Sequence, residues 1–423
     1  MARPALHNSG PAVILVSNGP GELFTWVRPL AERLHATLPL RPRLAEAAAS
    51  LHLVLVPCPN ATGQEHRAAA PWNLFERITP ATRFWDLMLR PQRYGPWPRR
   101  GVVVFLGGDQ FWTVLLSARL GYRHITYAEW VARWPRWNDR LAAMSEAVRQ
   151  QLPARFRPRC RVVGDLMADL SSFARAADPL PEGEWIGLLP GSKPAKLSVG
   201  MPFLLDTADR LARLRPGCRF LLPIAPTTSE AELLQFAGQT NPIARYYGAE
   251  VAECRDGLLV TRAGTQIRLL DQHPAHGPLS QCALALTTVG ANTAELGALG
   301  VPMIVIVPTQ HLEVMQAWDG AIGLLARLPL LRRLIGGLLS MWRLRHNGLM
   351  AWPNISAGRA VVPERVGAIT PQQIADEAAD WLAAPQRLQG QRADLQALRG
   401  QPGAVEALAE EVRQLLPRQL GSA

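Results

Sequence analysis

The stretch ALALTTVGANTAELGALGVPMIVIVP, residues 283–308, has the pattern of a buried strand, a tight turn, a helix and a second buried strand. Ala283–Thr287 and Val301–Val307 are short apolar runs bounded by turn residues, which is typical of parallel strands covered on both faces. Gly290 allows the chain to turn sharply between strand and helix. Such a turn aims backbone N–H groups and the positive end of a helix at the carboxyl edge of the sheet, where phosphate groups bind. The alternative is a purely structural βαβ unit.

Two polar residues predict how the helix of this stretch begins. Asn292 is suited to cap it, and Glu295, three residues later, would complete a capping box. Gly297 and Gly300 would end a short helix.

The same order of strand, glycine turn and helix opens each half of the chain. Ala12–Ser17 is followed by NGPGE at 18–22 and a predicted helix, Leu23–Leu38. Trp185–Leu189 is followed by PGSK at 190–193 and a helix predicted at Met201–Leu214. Neither turn has the GxGxxG or Walker spacing. A Gly-Ser-Lys turn is nevertheless a reasonable phosphate seat, with hydroxyl and backbone donors beside a cation.

This repetition predicts an α/β protein with two Rossmann-like domains. The chain of 423 residues is long enough for both. We expect residues 1–175 to form the first domain, 185–370 the second, and 371–423 a group of closing helices. The run AADPLPEGE at 176–184 has the composition of a linker.

Composition restricts the class of partner. Hydrophobic residues make up 48% of the chain and charged residues 19%, as in globular proteins. The net charge of +11 favours an acidic partner: nucleic acid, anionic lipid or a phosphorylated substrate. No nucleic-acid recognition motif accompanies this charge, so we expect no nucleic-acid partner.

Cysteine and histidine spacing predicts no metal site. The five Cys form no CxxC pair, which favours a reducing compartment. His273, His276 and His311 are not at ligand spacing. Neither a secretory signal nor a spanning run of about 20 apolar residues is present, so a cytoplasmic location is expected.

Asp109 is the candidate general base of the first half. It follows the buried strand Gly101–Leu106 and the glycine pair at 107–108, which places it on the ligand-binding edge of a parallel sheet. The alternative is a helix N-cap for Gln110–Leu120, a position that favours the same residue type.

The segment 321–345, AIGLLARLPLLRRLIGGLLSMWRLR, combines a leucine stripe with arginines and has no acidic residue. This pattern is typical of a helix lying in a membrane interface. The alternative is a helix in the core or at the interface of a homodimer. The residues predicted to dock on an anionic membrane are Leu331, Arg332, Arg333, Leu334, Leu338 and Trp342.

Three motifs together resemble the lipid-A-disaccharide synthase family of GT-B glycosyltransferases. They are LLPGSK at Leu188–Lys193, the stretch Thr288–Val305, and PNISAGRAVVPE at Pro353–Glu364 ahead of TPQQIA at 370–375. The segment Val162–Leu170 looks like the one that closes the first domain of that family. The resemblance implies two Rossmann-like domains facing across a cleft. It also implies inverting transfer of a sugar from a UDP-sugar to a lipid-linked or amphiphilic acceptor at the cytoplasmic membrane face, with no cofactor beyond the donor.

The resemblance also implies site roles. Asp109 would be the base that deprotonates the acceptor hydroxyl, and Gly19, Gly21 and Glu22 would lie on the acceptor side. The residues that would bind the nucleotide sugar are Gly191, Ser192, Lys193, Gly290, Asn292, Thr293, Glu295, Asn354 and Arg359.

Four positions depart from the family pattern. Pro20-Gly21-Glu22 replaces Ser-Gly-Asp, Lys193 replaces an Arg, Gln110-Phe111-Trp112 follows Asp109, and Gly164-Asp165 replaces Gly-His. Most of these lie on the acceptor side, so we expect the donor chemistry to be kept and the acceptor to differ. Two other functions stay open: a nucleotide-sugar epimerase or hydrolase of the same fold, and a membrane-associated protein that binds a nucleotide sugar without catalysis.

Overall fold

The computed structural model describes residues 10–38, 49–58, 63–95, 97–170, 179–192, 194–225, 228–238, 240–248, 251–311 and 348–416. They form two compact units. Unit 1 comprises the described residues of Met1–Asp169 and Gln401–Ala423, and unit 2 those of Leu170–Gly400.

Each unit is built on one sheet. The strands of unit 1 are β1 Ala12–Ser17, β2 Ser50–Leu55, β3 Arg77–Thr79, β4 Gly101–Phe105, β5 Arg123–Ala128, β6 Arg140–Ala143 and β7 Cys160–Val162. Those of unit 2 are β8 Glu184–Leu189, β9 Cys218–Pro223, β10 Val251–Arg255, β11 Leu258–Thr261, β12 Gln266–Leu270, β13 Leu284–Thr288, β14 Met303–Pro308 and β15 Glu364–Gly367.

The described helices, in chain order, flank these sheets. They are α1 Pro20–Glu22, α2 Arg28–Thr37, α3 Glu65–Ala69, α4 Phe84–Leu89, α5 Gln110–Leu120, α6 Glu146–Gln150, α7 Pro194–Leu214, α8 Glu230–Phe236, α9 Pro242–Tyr247, α10 His276–Ser280, α11 Ala291–Leu299, α12 Trp352–Ala357, α13 Pro371–Leu382, α14 Pro385–Arg399 and α15 Ala404–Leu415. A π-helical stretch, Leu23–Val27, joins α1 to α2.

The sheet of unit 1 has the order β3-β2-β1-β4-β5-β6-β7, with every neighbouring pair parallel. The chain therefore moves outward in one direction from β1 and in the opposite direction from β4. In open parallel sheets, ligands bind outside the carboxyl ends of the strands at such a reversal of order. The turns after β1 and β4 lie at this switch point.

Unit 2 has the order β10-β11-β12-β9-β8-β13-β14-β15, parallel from β12 to β15. Its switch point lies between β8 and β13. Helices α7 and α13 pack on one face of the sheet, over Ile186 and Leu188 of β8 and Leu286 of β13. Since the two crossovers run in opposite directions and are right-handed, α11 lies on the other face.

The last helix, α15, belongs to unit 1, whereas α13 and α14 belong to unit 2. The Asp169 carboxylate accepts the N–H groups of Gly403 at 2.6 Å and Val405 at 2.8 Å, which holds the first turn of α15. The buried Glu411 carboxylate lies 3.0 Å from Nη1 of Arg161. The structure thus places α13 and α14 in one unit and α15 in the other, whereas the sequence analysis had taken residues 371–423 as one closing group.

The structure confirms the α/β fold with two Rossmann-like units. The segment 351–364 contains α12, which has Pro353 in its first turn and is ended by Gly358 in the left-handed conformation. One local expectation was wrong. Helix α7 begins at Pro194, immediately after the Gly-Ser turn, and not at Met201.

Candidate functional site

In unit 2, the glycine turns after β8 and β13 lie side by side. These strands are parallel neighbours, with Leu189 opposite Thr287. A Cβ on Gly191, which has φ +104°, would lie 3.3 Å from Oγ1 of Thr288, and a Cβ on Gly290 would lie 2.7 Å from Nζ of Lys196. The two turns predicted to share one diphosphate therefore meet at the switch point.

Lys196 connects the two turns. Its Nζ, at the first turn of α7, donates to the carbonyl of Val289 at 2.6 Å. Helix α7 is held against the turn, because a Cβ on Gly200 would lie 2.5 Å from the carbonyl oxygen of Pro190. Lys196 was missed by the sequence analysis. A signal existed: Lys193 and Lys196 are the two lysines of the chain.

Two threonines of the second turn differ in their hydrogen bonding. Thr293 is buried; its hydroxyl donates to the carbonyl of Gly290 at 2.8 Å and accepts the N–H of Trp352 at 3.0 Å. Thr288 is also buried, but within the described residues its hydroxyl has no hydrogen-bond partner. Buried polar groups are normally paired, which makes the Thr288 hydroxyl a candidate contact for a ligand.

Glu295 pairs with His276 and takes no part in a capping box. Its Oε1 lies 2.6 Å from Nε2 of His276, a buried residue of α10. The N-cap of α11 is Gly290, at φ +144°, with no side-chain cap, and Asn292 is the second residue of the helix. The predicted capping role of Asn292 was therefore wrong. Asn292 is partly exposed on the first turn of α11.

Asn354 has a structural role. Its Nδ2 donates to the carbonyl of Val362 at 2.9 Å and to Oε1 of Glu364 at 2.6 Å. Its Oδ1 accepts the N–H groups of Val361 and Val362. All four hydrogen-bonding positions of this buried amide are thus occupied by protein. Its place in the donor pocket stays a prediction.

Arg359 lies at the opposite edge of the sheet. It precedes β15, and its guanidinium donates to Asp394 of α14 at 3.1 Å. On the same helix, Gln391 accepts the N–H of Met303, the first residue of β14. Strand beginnings lie at the edge away from the glycine turns, and the assignment of Arg359 to the donor pocket stays a prediction.

A second polar cluster lies at the switch point of unit 1. A Cβ on Gly107 would lie 2.9 Å from Oδ1 of Asn18, 3.0 Å from Oγ of Ser17 and 3.2 Å from Cγ of Glu22. Oδ1 of Asn18 and Oγ of Ser17 are buried and lack hydrogen-bond partners in the described part of the chain. Only glycine at position 107 leaves room for these groups.

Glu22 is the titratable group of this cluster. Burial raises the pKa of its carboxyl, and the nearby Glu65 carboxylate raises this pKa further. A carboxyl with a raised pKa is a stronger base when ionised. The π-helical stretch that follows Glu22 is a feature found frequently at functional sites. Gly19 lies against Glu22, since a Cβ there would be 2.5 Å from its Oε2. Gly21 accepts the hydroxyl of Thr25 through its carbonyl.

Asp109 is the N-cap of α5. Its Oδ1 accepts the N–H of Phe111 at 2.9 Å, and the residue is exposed. The capping alternative is therefore realised, while the second carboxylate oxygen remains at the carboxyl edge of β4. A cap and a base are compatible at this position.

Several predicted residues cannot be placed. Lys193 lies outside the described residues, as do the six residues predicted to dock on a membrane: Leu331, Arg332, Arg333, Leu334, Leu338 and Trp342. Ser192 is partly exposed in the first turn. In the described ranges, no helix combines the length and apolar character needed to cross a membrane. Nor do three or more His, Cys, Asp or Glu side chains come together there as metal ligands.

Sequence comparisons point to one group of relatives. A lipid-A-disaccharide synthase of Anaeromyxobacter sp. (strain K) is 27% identical over 231 residues, which are 54% of this chain and 48% of that protein. Another, of Pseudomonas fluorescens (strain Pf0-1), is 34% identical over 124 residues, 27% of this chain and 33% of that protein. The chain thus matches half or less of the length of these curated relatives. No protein-family model matches it.

Solved structures share the fold over nearly the whole chain. S. aureus MnaA in complex with UDP has a TM-score of 0.55 and 11% identity, covering 97% of this chain and 100% of that one. UDP-GlcNAc 2-epimerase from Neisseria meningitidis bound to UDP-GlcNAc has a TM-score of 0.52 and 11% identity, covering 96% and 100%. At 11% identity, the similarity to these structures shows a shared fold and nothing further.

The chain therefore has the GT-B fold that these solved structures share. Within that class it is similar to the lipid-A-disaccharide synthases over about half of its length, which confirms the resemblance drawn from its motifs.

Proposed function

We propose that this protein is an inverting hexosyltransferase that moves a sugar from a UDP-sugar to a lipid-linked or amphiphilic acceptor at the cytoplasmic membrane face. The observation that carries the proposal is the meeting of two glycine turns, Lys196 and the unpaired hydroxyl of Thr288 at the switch point of unit 2. Similarity to lipid-A-disaccharide synthases supports the transferase chemistry.

The donor diphosphate is proposed to lie across the two turns. The backbone N–H groups at the start of α11, the hydroxyls of Ser192 and Thr288 and the cation of Lys196 would neutralise the charge that develops on the leaving UDP. Lys193 would add a second cation. Asn292 and Glu295, on the exposed side of α11, would contact diphosphate and ribose, with His276 fixing the orientation of the Glu295 carboxylate.

The acceptor hydroxyl is proposed to lose its proton to Asp109 as it attacks the anomeric carbon, and the bond to UDP breaks on the opposite side. Glu22, with Ser17 and Asn18, would bind the acceptor. Replacing Asp109 by Asn keeps an oxygen to cap α5 and removes the base, so kcat should fall by roughly 10²- to 10⁴-fold with the fold intact. If Glu22→Gln instead gave the larger loss and abolished the acidic limb of the pH profile, Glu22 would be the base.

A nucleotide-sugar epimerase is the second candidate. The carboxyl of Glu65, near enough to Glu22 to raise its pKa, favours it, because proton removal and return at a sugar carbon need two acid–base groups. Incubation with a UDP-sugar and no acceptor separates the two functions. An epimerase would form an isomeric UDP-sugar, a hydrolase would release free sugar, and a transferase would leave the donor unchanged.

The test starts with calorimetry of the full chain with UDP and a panel of UDP-sugars, followed by UDP release with membrane lipid extracts as acceptors. Lys196→Met should weaken UDP binding by roughly 10- to 150-fold, the loss of one charge-assisted contact. Arg268→Met, an exposed cation of β12, is the matched control and should bind UDP normally. Binding without turnover would support a non-catalytic nucleotide-sugar-binding protein, and no UDP binding would exclude the proposal.

A further inference from the structure

Three tryptophan rings are exposed on the loop between β5 and β6. Residues 130–137 read WVARWPRW, and the exposed fractions are 46% for Trp130, 38% for Trp134 and 54% for Trp137. Arg133 and Arg136, between the rings, are exposed as well. These five residues and two more, Trp85 and Phe111, form what we name the tryptophan–arginine surface.

Five rings form a continuous series of contacts: Trp137, Trp134, Phe111, Trp112 and Trp85. The ring centroid of Trp134 lies 5.3 Å from that of Trp137 and 5.5 Å from that of Phe111 at the start of α5. Phe111 in turn lies 5.8 Å from Trp112, which lies 5.3 Å from the exposed Trp85 of α4. Contiguous exposed apolar area of this kind marks an interaction site, unlike single exposed residues.

Buried polar side chains hold the loop in this conformation. Gln110 donates to the carbonyl of Val131 at 2.8 Å and accepts the N–H of Arg133 at 2.6 Å. The buried Asn138 donates to the carbonyl of Trp134 at 3.1 Å. Trp134 itself has φ +56°, a left-handed conformation that is rare for a bulky residue. The hydrogen bonds therefore hold the loop in a conformation that exposes the rings. Contact of apolar rings with water is unfavourable, and contact with an apolar phase would remove that free-energy cost.

The charge around the patch selects an anionic partner. The loop 130–137 contains two exposed arginines, Arg133 and Arg136, and no acid. Of the two acids that flank it, Glu129 and Asp139, Asp139 accepts the N–H of His124. Tryptophan rings favour the headgroup level of a bilayer, and arginines near its surface are attracted to anionic lipid by about 1 kcal/mol each.

We propose that the tryptophan–arginine surface of unit 1 docks onto an anionic lipid bilayer. The patch begins beside the candidate base, because Phe111 donates its N–H to Asp109. A bilayer on this surface would therefore present lipid-linked acceptors next to Asp109, a consequence that rests on the proposed function. The docking proposal itself does not rest on that function. It involves residues other than those of the leucine–arginine segment 321–345.

Flotation of the full chain with vesicles tests the docking. The parent protein should float with vesicles of phosphatidylglycerol and phosphatidylcholine, and much less with phosphatidylcholine alone or at 1 M salt, where the charge attraction is screened. The double variant Trp130→Ser/Trp137→Ser should lower the partition coefficient roughly tenfold or more, because two rings leave the interface. Trp134 is left in place because of its left-handed backbone. Tyr246→Ser, which removes an exposed ring from unit 2, is the control and should float like the parent.

UDP calorimetry and thermal unfolding of the same variants separate docking from the proposed function. Unchanged UDP affinity and unfolding temperature are expected, since the substituted rings are exposed. The docking proposal is overturned if the double variant floats like the parent, or if the parent fails to float. If the parent fails to float and also forms dimers that the double variant does not form, the tryptophan–arginine surface binds a second copy of this chain and not a bilayer. If the parent does not bind UDP, the proposed transferase function is contradicted and the docking proposal is not.

Discussion

Replacing Thr288 by Val is expected to make the protein more stable and a weaker binder of UDP. The hydroxyl of Thr288 is buried, and among the described residues it has no hydrogen-bond partner. Valine has nearly the same shape and the same preference for a strand. Leaving a buried polar group unpaired costs about 1–3 kcal/mol. Taking about 1 kcal/mol of this for Thr288→Val, the unfolding temperature should rise by roughly 2–4 °C for a unit of this size.

The same substitution should weaken UDP binding. A hydrogen bond to a charged phosphate contributes about 1.5–3 kcal/mol, so its loss corresponds to roughly a 10- to 150-fold increase in Kd. Thermal unfolding without nucleotide and calorimetry with UDP give the two quantities. The matched control is Thr293→Val, which removes hydrogen bonds to the carbonyl of Gly290 and the N–H of Trp352 and should lower the unfolding temperature.

The prediction requires two opposite effects of Thr288→Val, a higher unfolding temperature and a lower affinity for UDP. If Thr288→Val unfolds at a lower temperature and binds UDP as the parent does, its hydroxyl is a structural group with a partner of its own. The diphosphate would then have to lie elsewhere than between the two glycine turns.

Three further predictions concern other positions in the two units. Gly200→Ala should lower the unfolding temperature and weaken UDP binding, because its Cβ would lie 2.5 Å from the carbonyl oxygen of Pro190 and would push α7 off the first turn; denaturant unfolding and calorimetry measure both effects. Asp165→Asn should stabilise the protein at pH 7 and have little effect below pH 4. Burial raises the pKa of Asp165 to about 6 in the folded state, so ionisation between pH 4 and 6 removes stability; thermal unfolding across this range would show a pH-independent difference if this is wrong. Arg161→Met should reduce stability by about 0.5–1 kcal/mol in urea unfolding, because it removes a half-exposed ion pair at 3.0 Å from the buried Glu411 while Arg140 remains 3.8 Å from that carboxylate; an unchanged midpoint would mean that this pair is not what anchors α15.

Local sequence was enough for the units of strand, glycine turn and helix. Ala12–Ser17 and Gln110–Leu120 have the predicted bounds. Apolar period, caps and glycine positions are properties of a few neighbouring residues, so they can be read without knowing what packs against them.

Competition from distant residues explains the errors. The carboxylate of Glu295 contacts His276 and not the backbone at the start of α11. The amide of Asn354 is hydrogen-bonded to Val361 and Val362, between α12 and β15, although the motif around it had suggested a ligand. A side chain with several available partners is assigned only when the long-range contacts are known.

The sequence by itself determined the GT-B architecture, the two glycine turns of unit 2 and the candidate base Asp109. Only the tertiary structure showed that Lys196 and Thr288 join these turns, that Glu22 lies against Gly107, and that the last helix returns to unit 1. The physical reason is strand order. Residues far apart in sequence become neighbours where β8 pairs with β13 and β1 with β4, and those pairings depend on the whole sheet rather than on any local pattern.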